Sequence, residues 1–468
     1  MDMKPDAYFK AIIARRDPRY DGRFYFGVKT TGIYCRPICP AKPKPENILI
    51  FRSPAEAERA GYRACLRCHP DLAPGMKRPQ QAERLVSQAL RIIQTSPHEE
   101  LSVQTLAEAL AVTDRHLRRL FGRCLGASPV EIMITQRLHF AKQMIQETSA
   151  SLTEIAFAVG FQSVRRFNEA FKDRYRSSPS SFRKHGAAAA AGSLSLKVPI
   201  RLPYDWDSVL AYLRRHETYG LEHVENARYR RYVPRGKKFG LITVCRSSAK
   251  DYLTAEFLDI PLSGVRVLLA RVKNLFDTDH NPLHLPGPGK RLARGIRVPG
   301  SFDPFETAVS ILLSQRISTE HAKRALKKVV CRYGRRIGLH EGREVFEFPS
   351  PRTLARANVE TAGLPKAQAR AVRGLALGVL KGTLDLTAQG GLAEMKERLL
   401  RIHGIGPWTA TMIAMRCLGD VDAFPESDLV IQKALKNTLA DPAAWTSSRA
   451  YLAHSVWRDF GRKKEENQ

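Results

Sequence analysis

Two close cysteine pairs constrain this 468-residue chain more than any other feature. Cys35 and Cys39 lie in TTGIYCRPICP, and Cys65 and Cys68 follow in AGYRACLRCHPD. A single close pair is compatible with a disulfide, half of a metal site or a reactive thiol. Two pairs joined by a short folded segment are what a tetrahedral zinc site with four thiolates requires, since each zinc–sulfur bond is about 2.3 Å long. The spacing therefore predicts zinc (Zn²⁺) held by all four cysteines, and on spacing alone a purely structural site is the commoner outcome.

The N-terminal segment and the hydropathy pattern bear on where these thiols would reside. MDMKPDAYFK is charged, and no stretch of the sequence approaches about 18 consecutive apolar residues. We therefore expect no secretion, no membrane span and a cytoplasmic protein. In that reducing compartment, paired cysteines are more often metal ligands or reactive thiols than disulfides.

The charge of the chain indicates a polyanionic partner. Lys and Arg number 76 against 46 Asp and Glu, which gives a formal net charge of +30. Basic residues that neutralise phosphates release condensed counterions, so nucleic acid is the first candidate and an acidic membrane surface the second. The 43% hydrophobic content favours folded domains over a disordered basic tail.

Composition shifts at residues 69–81 and 183–196 predict linkers and divide the chain into blocks. The first block, 1–76, is a small α+β unit whose limited core makes a metal staple physically expected. The second, 80–185, is all-α. The third opens with two strand-like runs, LITVCRSSAKDYLTAEFLD and GVRVLLARVKNLF, and becomes helical from about residue 302. We expect its domains to divide as 197–285 and 286–468.

The middle block contains two helix-turn-helix units. Their second helices are predicted at about 114–124, capped by Thr113 or Asp114, and at about 163–174, after a turn at Gly160. Such helices enter major grooves, where Arg reads guanine or phosphate and Asn reads adenine. For each arginine alone, a solvated or phosphate-contacting role is commoner than base recognition. The candidate DNA contacts are Arg115, His116, Arg118, Arg165, Arg166 and Asn168.

The densest chemistry lies in the last block. HGIGPWTA predicts a helix-hairpin-helix element, in which glycines let backbone N–H groups and a helix N-terminus face a DNA phosphate. Its candidate DNA-binding residues are His403, Gly404, Ile405 and Gly406. Asp428 follows in FPESDLVIQKAL, where an isolated Ser-Asp before an apolar helical run is most often a helix N-cap.

The first block, over residues 5–75, closely resembles the N-terminal domain of the Ada methylation-response family. That resemblance implies that Cys35 accepts a methyl group from a DNA methylphosphotriester and that the other ligands are Cys39, Cys65 and Cys68. A centre of zinc and four thiolates carries a formal charge of −2, so methylation of one sulfur reduces its repulsion from phosphates. Arg36, Lys42 and Lys44 are candidates for holding the backbone. The PCHRV-type nucleophile motif of the Ada family does not occur in the sequence, so we expect no repair of O6-alkylguanine.

EIAFAVGFQSVRRFNEAFKDRYRSSPSSFR is similar to the AraC-type DNA-binding domain. The third block is similar to the AlkA family of alkylbase DNA glycosylases, through LPYDWDSVLAYLRRH, SFDPFETAVSILLSQRIS and SRAYLAHSVWRDF. This second resemblance implies that Asp428 is catalytic and that the base pocket includes Trp408 and Trp457, although tryptophans at helical spacing are usually core. Met412 occupies a position of a pocket tyrosine, and Arg316 that of the residue filling the gap left by the flipped base. Trp408 replaces the Schiff-base lysine of the lyase relatives, which implies base release without strand cleavage.

Together these observations predict a multidomain chain. Its parts are a small α+β zinc domain, an all-α double helix-turn-helix, and an α+β AlkA-like domain with a helix-hairpin-helix glycosylase core. The predicted function is an alkylation response that combines three activities. They are excision of bases of the 3-methyladenine and 7-methylguanine class, methyl acceptance on Cys35, and transcription activation, with double-stranded DNA and RNA polymerase as partners. The alternative is a transcription regulator whose glycosylase-like block binds DNA without catalysis.

Overall fold

The computed structural model describes residues 6–70, 81–96, 101–183, 193–246, 251–284, 295–315, 317–386, 392–437 and 448–466. The chain forms two compact units. The first comprises residues 1–201, 261–270 and 278–284, and the second comprises 202–260, 271–277 and 285–468. The predicted linker segments at 69–81 and 183–196 lie largely outside the described residues. Within the described part of the chain, no helix combines the length and hydropathy needed to cross a bilayer.

The N-terminal part of the first unit is the predicted α+β fold. Its four strands are ordered with Ile48–Phe51 at one edge, then Tyr25–Val28, Ile33–Cys35 and Arg63–Ala64. The last two strands pair in parallel, whereas the other pairings are antiparallel. Helix Asp6–Arg15 precedes the sheet. A second short helix, Pro54–Arg59, begins where Ser53 accepts a hydrogen bond from the Glu56 backbone N–H.

Six helices follow in the described residues between 81 and 183, and side-chain caps set several of their starts. Thr113 accepts from His116 N, as the sequence pattern predicts, and Ser163 accepts from Arg166 N. We name Asp114–Leu125 the first recognition helix and Val164–Tyr175 the second. Gly160 in the turn before the second has φ +87°, a conformation that favours glycine. The remaining helices are Gln81–Thr95, Val103–Ala109, Pro129–Glu147 and Leu152–Ala158, and a strand, Ser193–Pro199, comes after them.

The second unit opens with helix Trp206–Arg215 and a meander of four antiparallel strands. The strands are Glu222–Glu225, Arg228–Arg235, Lys238–Arg246 and Tyr252–Leu258. The strand interpretation of LITVCRSSAKDYLTAEFLD is therefore confirmed for its described ends.

The strand interpretation of GVRVLLARVKNLF is wrong, because all of these residues except the last lie in helix Leu262–Leu275. Val265, Leu268, Leu269 and Val272 are all buried, and their spacing of three and four is the helical period. The run of β-branched and apolar residues also fits a buried strand, which explains the wrong prediction.

In its described residues, the remainder of the second unit is helical apart from one hairpin, Arg335–His340 with Arg343–Glu347. One hydrophobic core joins the helices around Leu312, Val372 and Ile413. A second core contains Phe424, Ile431 and Tyr451. The helices are Pro304–Leu313, Thr319–Tyr333, Pro351–Arg356, Lys366–Leu380, Leu392–Leu400, Pro407–Arg416, Leu429–Asn437 and Arg449–Glu466. The predicted multidomain fold is confirmed at this level.

Candidate functional site

The four cysteines converge because two short strands present them side by side. Cys35 ends one strand, and Cys65 directly follows its parallel partner, with Cys65 N donating to Tyr34 O at 3.0 Å. A tight turn brings Cys39 back, since its N–H donates to Arg36 O at 3.0 Å. The four sulfur atoms all lie within 4.8 Å of one another. Cys35, Cys39 and Cys65 are buried, and Cys68 is partly exposed.

This arrangement fits zinc on chemical grounds. Hydrogen bonding to Cys39 and Cys68, together with burial, raises the pKa of the Cys35 thiol. Four thiolates at this separation therefore need a compensating cation, and four sulfur donors are a set that zinc prefers. Cys35, Cys39, Cys65 and Cys68 form the zinc site of this chain.

Arg36 supports the cysteine loop instead of standing free in solvent. Its backbone N–H donates to Cys68 Sγ at 3.4 Å, and its Nη1 donates to Cys68 O at 3.2 Å. The guanidinium also forms an ion pair with buried Asp21 and is only 14% exposed. Of the candidate backbone contacts, Lys42 and Lys44 are the exposed ones.

Both recognition helices present the predicted DNA contacts on their exposed sides. Five of the six residues are exposed and His116 is partly buried. The opposite sides are core, where Leu117, Phe121, Phe167 and Phe171 are buried. The candidate set Arg115, His116, Arg118, Arg165, Arg166 and Asn168 therefore lies on the sides of the two helices that face away from the core.

The HGIG segment forms a tight turn between helices Leu392–Leu400 and Pro407–Arg416, as the hairpin prediction requires. Gly404 has φ +91°, and a Cβ there would lie 2.9 Å from Ala371 Cβ. Ile405 is buried and anchors the turn, whereas His403, Gly404 and Gly406 are exposed. A Cβ on Gly406 would meet no atom within 4 Å, so the start of the following helix is open to an approaching phosphate.

Gln315 ties a second loop to this hairpin, and sequence reasoning did not single it out. Its Nε2 donates to Thr409 Oγ1 at 2.6 Å and to Gly404 O at 3.2 Å. Arg316, the predicted wedge residue, is the next residue along the chain and lies outside the described residues.

The two hypotheses for Asp428 are both compatible with its geometry. Its Oδ1 accepts from Val430 N at 3.0 Å and from Ile431 N at 3.1 Å, which caps helix Leu429–Asn437. Trp408 Nε1 donates to Asp428 Oδ2 at 3.1 Å, and Trp457 Nε1 donates to Asp428 Oδ1 at 3.2 Å. Two backbone and two indole donors therefore hold one partly exposed carboxylate.

The two tryptophans reach Asp428 from different helices. Trp408 belongs to Pro407–Arg416, and Trp457 belongs to Arg449–Glu466 and packs against both hydrophobic cores. Both rings are partly buried and pack against the core, and each also donates to Asp428. Met412 is 7% exposed and belongs to the core behind Trp408.

A buried ring supports Trp457 and was also missed from sequence. His454 lies edge-on to Trp457, with 5.1 Å between ring centroids. Burial, reinforced by Arg416, lowers the pKa of His454 well below its ordinary value, so this imidazole is neutral at physiological pH. Its only sequence signal is the spacing of three that places both rings on one helical face.

Comparison with known proteins finds three domain families in order along the chain. They are the metal binding domain of Ada at residues 8–71, a helix-turn-helix domain at 106–185 and the AlkA N-terminal domain at 195–303. The chain is 33% identical over 465 residues to the probable bifunctional transcriptional activator/DNA repair enzyme AlkA of Mycobacterium tuberculosis, covering 96% of this chain and 92% of that one. It is 31% identical to DNA-3-methyladenine glycosylase 2 of Escherichia coli, covering 56% and 97%. Among solved structures, the 3-methyladenine DNA-glycosylase from Archaeoglobus fulgidus aligns with a TM-score of 0.48 and 17% identity, covering 57% and 98%.

Proposed function

The chain belongs to the AlkA family of bifunctional transcriptional activator/DNA repair enzymes, and from that premise we propose that it excises alkylated bases from DNA and reports alkylation to transcription. The observation that carries the proposal is the carboxylate of Asp428, held by the indole N–H groups of Trp408 and Trp457. The proposed substrates are cationic bases of the 3-methyladenine and 7-methylguanine class, and the E. coli relative is a 3-methyladenine glycosylase by name. A cytoplasmic site of action follows from the DNA substrate and from cysteines that act as thiolates.

In the proposed excision, the alkylated nucleotide is flipped out of the duplex towards Asp428. The glycosidic C1′–N bond breaks, and its electron pair leaves with the base and neutralises the positive charge of the base. The sugar acquires oxocarbenium character, which the Asp428 carboxylate stabilises before water adds at C1′ and loses its proton. Trp408 and Trp457 keep the carboxylate oriented and offer electron-rich faces to the cationic base, worth about 1–2 kcal/mol when desolvated.

Base release leaves an intact strand with an abasic site in this scheme. A lyase step needs an amine to form a Schiff base with the sugar. The position that would carry that amine in lyase relatives holds Trp408, whose indole nitrogen is not nucleophilic. The hairpin residues His403–Gly406 would hold the phosphate backbone beside the flipped nucleotide.

The second proposed activity is methyl acceptance by Cys35. The thiolate sulfur forms a bond to the methyl carbon of a DNA methylphosphotriester. The methyl–oxygen bond breaks, and its electron pair restores the phosphodiester anion. When bound, zinc holds the cysteine sulfurs as thiolates and so keeps them nucleophilic at neutral pH. Cys35 ends as a thioether, so each chain acts once.

The four cysteine sulfurs differ in exposure, so identifying the sulfur that accepts the methyl group is a specific test of the proposal. Cys35 is only 2% exposed, whereas Cys68 is the most exposed of the four ligands. Incubation of the zinc-loaded chain with methylphosphotriester DNA, followed by peptide mass spectrometry, assigns the methyl group to one peptide. We expect the Cys35 peptide to carry it and the Cys35→Ala variant to take up none. A methyl group on the Cys68 peptide would contradict the role of Cys35.

Regulation follows from the same reaction. Loss of one negative charge at the zinc centre reduces its repulsion from DNA, so the methylated form binds promoters more tightly and recruits RNA polymerase. The alternative is a regulator whose glycosylase-like unit binds DNA without catalysis. Free bases released from methylated duplex by the purified chain distinguish the two, since a regulator alone releases none.

A further inference from the structure

The short helix Pro54–Arg59 contacts the ends of both recognition helices, and we name it the bridging helix. The last carbonyls of a helix lack intrahelical partners, and residues in and beside the bridging helix supply them for the first recognition helix. Ser53 Oγ donates to Leu125 O at 2.6 Å, and Arg59 Nη2 donates to Gly126 O at 2.6 Å. Arg52 Nη1 donates to Arg123 O at 3.0 Å. The first recognition helix is therefore docked at its C-terminal end.

Apolar packing reinforces this contact. Ala55 of the bridging helix is 1% exposed and belongs to the core of the first helix-turn-helix, together with Leu106 and Phe121. Gly126 has φ +68° and ends the first recognition helix, and a Cβ at this position would collide with the Glu56 carboxylate. The bridging helix thus packs against the core of the first helix-turn-helix through Ala55.

Glu58, on the same short helix, reaches the second recognition helix. Its side chain is 1% exposed. Its carboxylate accepts from Tyr34 Oη at 2.8 Å and from Thr135 Oγ1 at 3.1 Å, lies 2.9 Å from His139 Nε2, and pairs with the guanidinium of Arg174. Arg174 lies in the last turn of the second recognition helix, and Tyr34 directly precedes the zinc ligand Cys35.

The buried charge on Glu58 requires its hydrogen-bond and ion-pair partners to stay in place. Burial alone would raise its pKa, but His139 and Arg174 hold the pKa of the carboxyl below its ordinary value. A buried carboxylate is stable only with its partners in place, because an unpaired buried charge is strongly destabilising. Separation of Arg174 from Glu58 would remove the guanidinium from this buried carboxylate, so the ion pair favours one position of the second recognition helix.

We propose that Glu58 is a positioning residue that fixes the second recognition helix relative to the first, so that both enter successive major grooves together. This inference rests on the proposed DNA-reading function of the two helices. Two recognition modules held in register bind as one, since the second contact becomes intramolecular. Loss of Glu58 lets each helix bind DNA but removes the gain from binding both at once.

The test compares two duplexes with the full-length, zinc-loaded chain. The first is about 40 base pairs long, or roughly four helical turns, and is selected from a random pool by the wild-type chain. The second is the same duplex with one of the two protected grooves randomised. We expect Glu58→Gln to lose about 10- to 100-fold in affinity for the first duplex and to protect a single groove. On the second duplex its affinity should match that of the wild type.

Glu154→Gln is the matched control. Glu154 is exposed and forms a capping box with Ser151, which glutamine also forms. The same change of carboxylate to amide in the same unit should leave both affinities unaltered. Tyr34→Phe is the gentler second variant, since it removes one donor without leaving a charge unpaired. It should weaken binding to the first duplex alone, by about twofold to tenfold.

Each other outcome overturns a specific claim. Equal losses on both duplexes would show that Glu58 only stabilises the unit, and Tyr34→Phe with wild-type selectivity would agree with that result. A two-groove footprint retained by Glu58→Gln would overturn the inference alone. A wild-type chain that protects only one groove would overturn the two-helix reader and the inference with it.

Discussion

Replacement of Asp428 by asparagine separates its role as a helix cap from its proposed role in catalysis. An asparagine keeps Oδ1 as acceptor for Val430 N and Ile431 N, so the helix cap persists. The amide nitrogen replaces Oδ2 and cannot accept from Trp408 Nε1, which leaves one partly buried donor unpaired at about 1 kcal/mol. For a unit of this size we expect the melting temperature to fall by only about 2–4 °C.

The effect on catalysis should be far larger. A unit negative charge about 4 Å from a developing positive charge contributes roughly 4 kcal/mol at an effective dielectric constant of about 20. Each factor of ten in rate corresponds to about 1.4 kcal/mol, so Asp428→Asn should release methylated bases about 1,000-fold more slowly. The measurement is single-turnover release of free base from methylated duplex, with enzyme in excess.

Asp303 provides the matched control. It caps helix Pro304–Leu313 in the same unit and accepts from Phe305 N and Glu306 N, both at 3.0 Å, with no indole donor among its described hydrogen bonds. Asp303→Asn should therefore change base release by less than about threefold. If Asp428→Asn released bases as fast as Asp303→Asn, the electrostatic role of Asp428 would be refuted.

Three further predictions follow from other parts of the molecule. Gly404→Ala forces a side chain onto φ +91° and against Ala371, so thermal unfolding should show a loss of about 1–3 kcal/mol and DNA affinity should fall. Gly406→Ala has open space around its Cβ and changes only a helix N-cap, so its loss should stay below about 1 kcal/mol. Removal of zinc by a strong chelator should lower the melting temperature of the first unit and weaken DNA binding while base release continues, because the cores around Asp428 belong to the second unit. The lowered pKa of Glu58 means that its contribution to stability is full above its unfolded pKa, near 4.3, and is lost as pH falls through the folded pKa. The difference in unfolding free energy between wild type and Glu58→Gln should therefore shrink between pH 7 and pH 3.

Much of the secondary structure could be predicted from the sequence because helix caps and turns depend on interactions between residues close together in the chain. The cap at Thr113 acts within three residues, so the start of the first recognition helix could be predicted from the sequence. The strand prediction at residues 264–276 is wrong because their β-branched residues favour a strand, whereas their buried residues have the spacing of a helix. The sequence SPAEAERAG gives no sign that Glu58 is buried, because Glu58 resembles any charged residue of an amphipathic helix. Its described hydrogen-bond partners lie between 24 and 116 positions away, and only the fold brings them together.

Asp428 and Glu58 differ in whether their hydrogen-bond donors are charged or neutral, and this difference determines which role each carboxylate can have. Glu58 is buried, and the Arg174 guanidinium compensates its charge, so that charge holds the fold together and is not available to a substrate. Asp428 is partly exposed, and its hydrogen-bond donors in the described part of the chain are neutral, namely two backbone N–H groups and two indoles. Neutral donors fix a carboxylate in place without cancelling its charge. The helix-cap hypothesis and the catalytic hypothesis for Asp428 are therefore complementary, because the cap orients an anion whose field remains available to a developing cation.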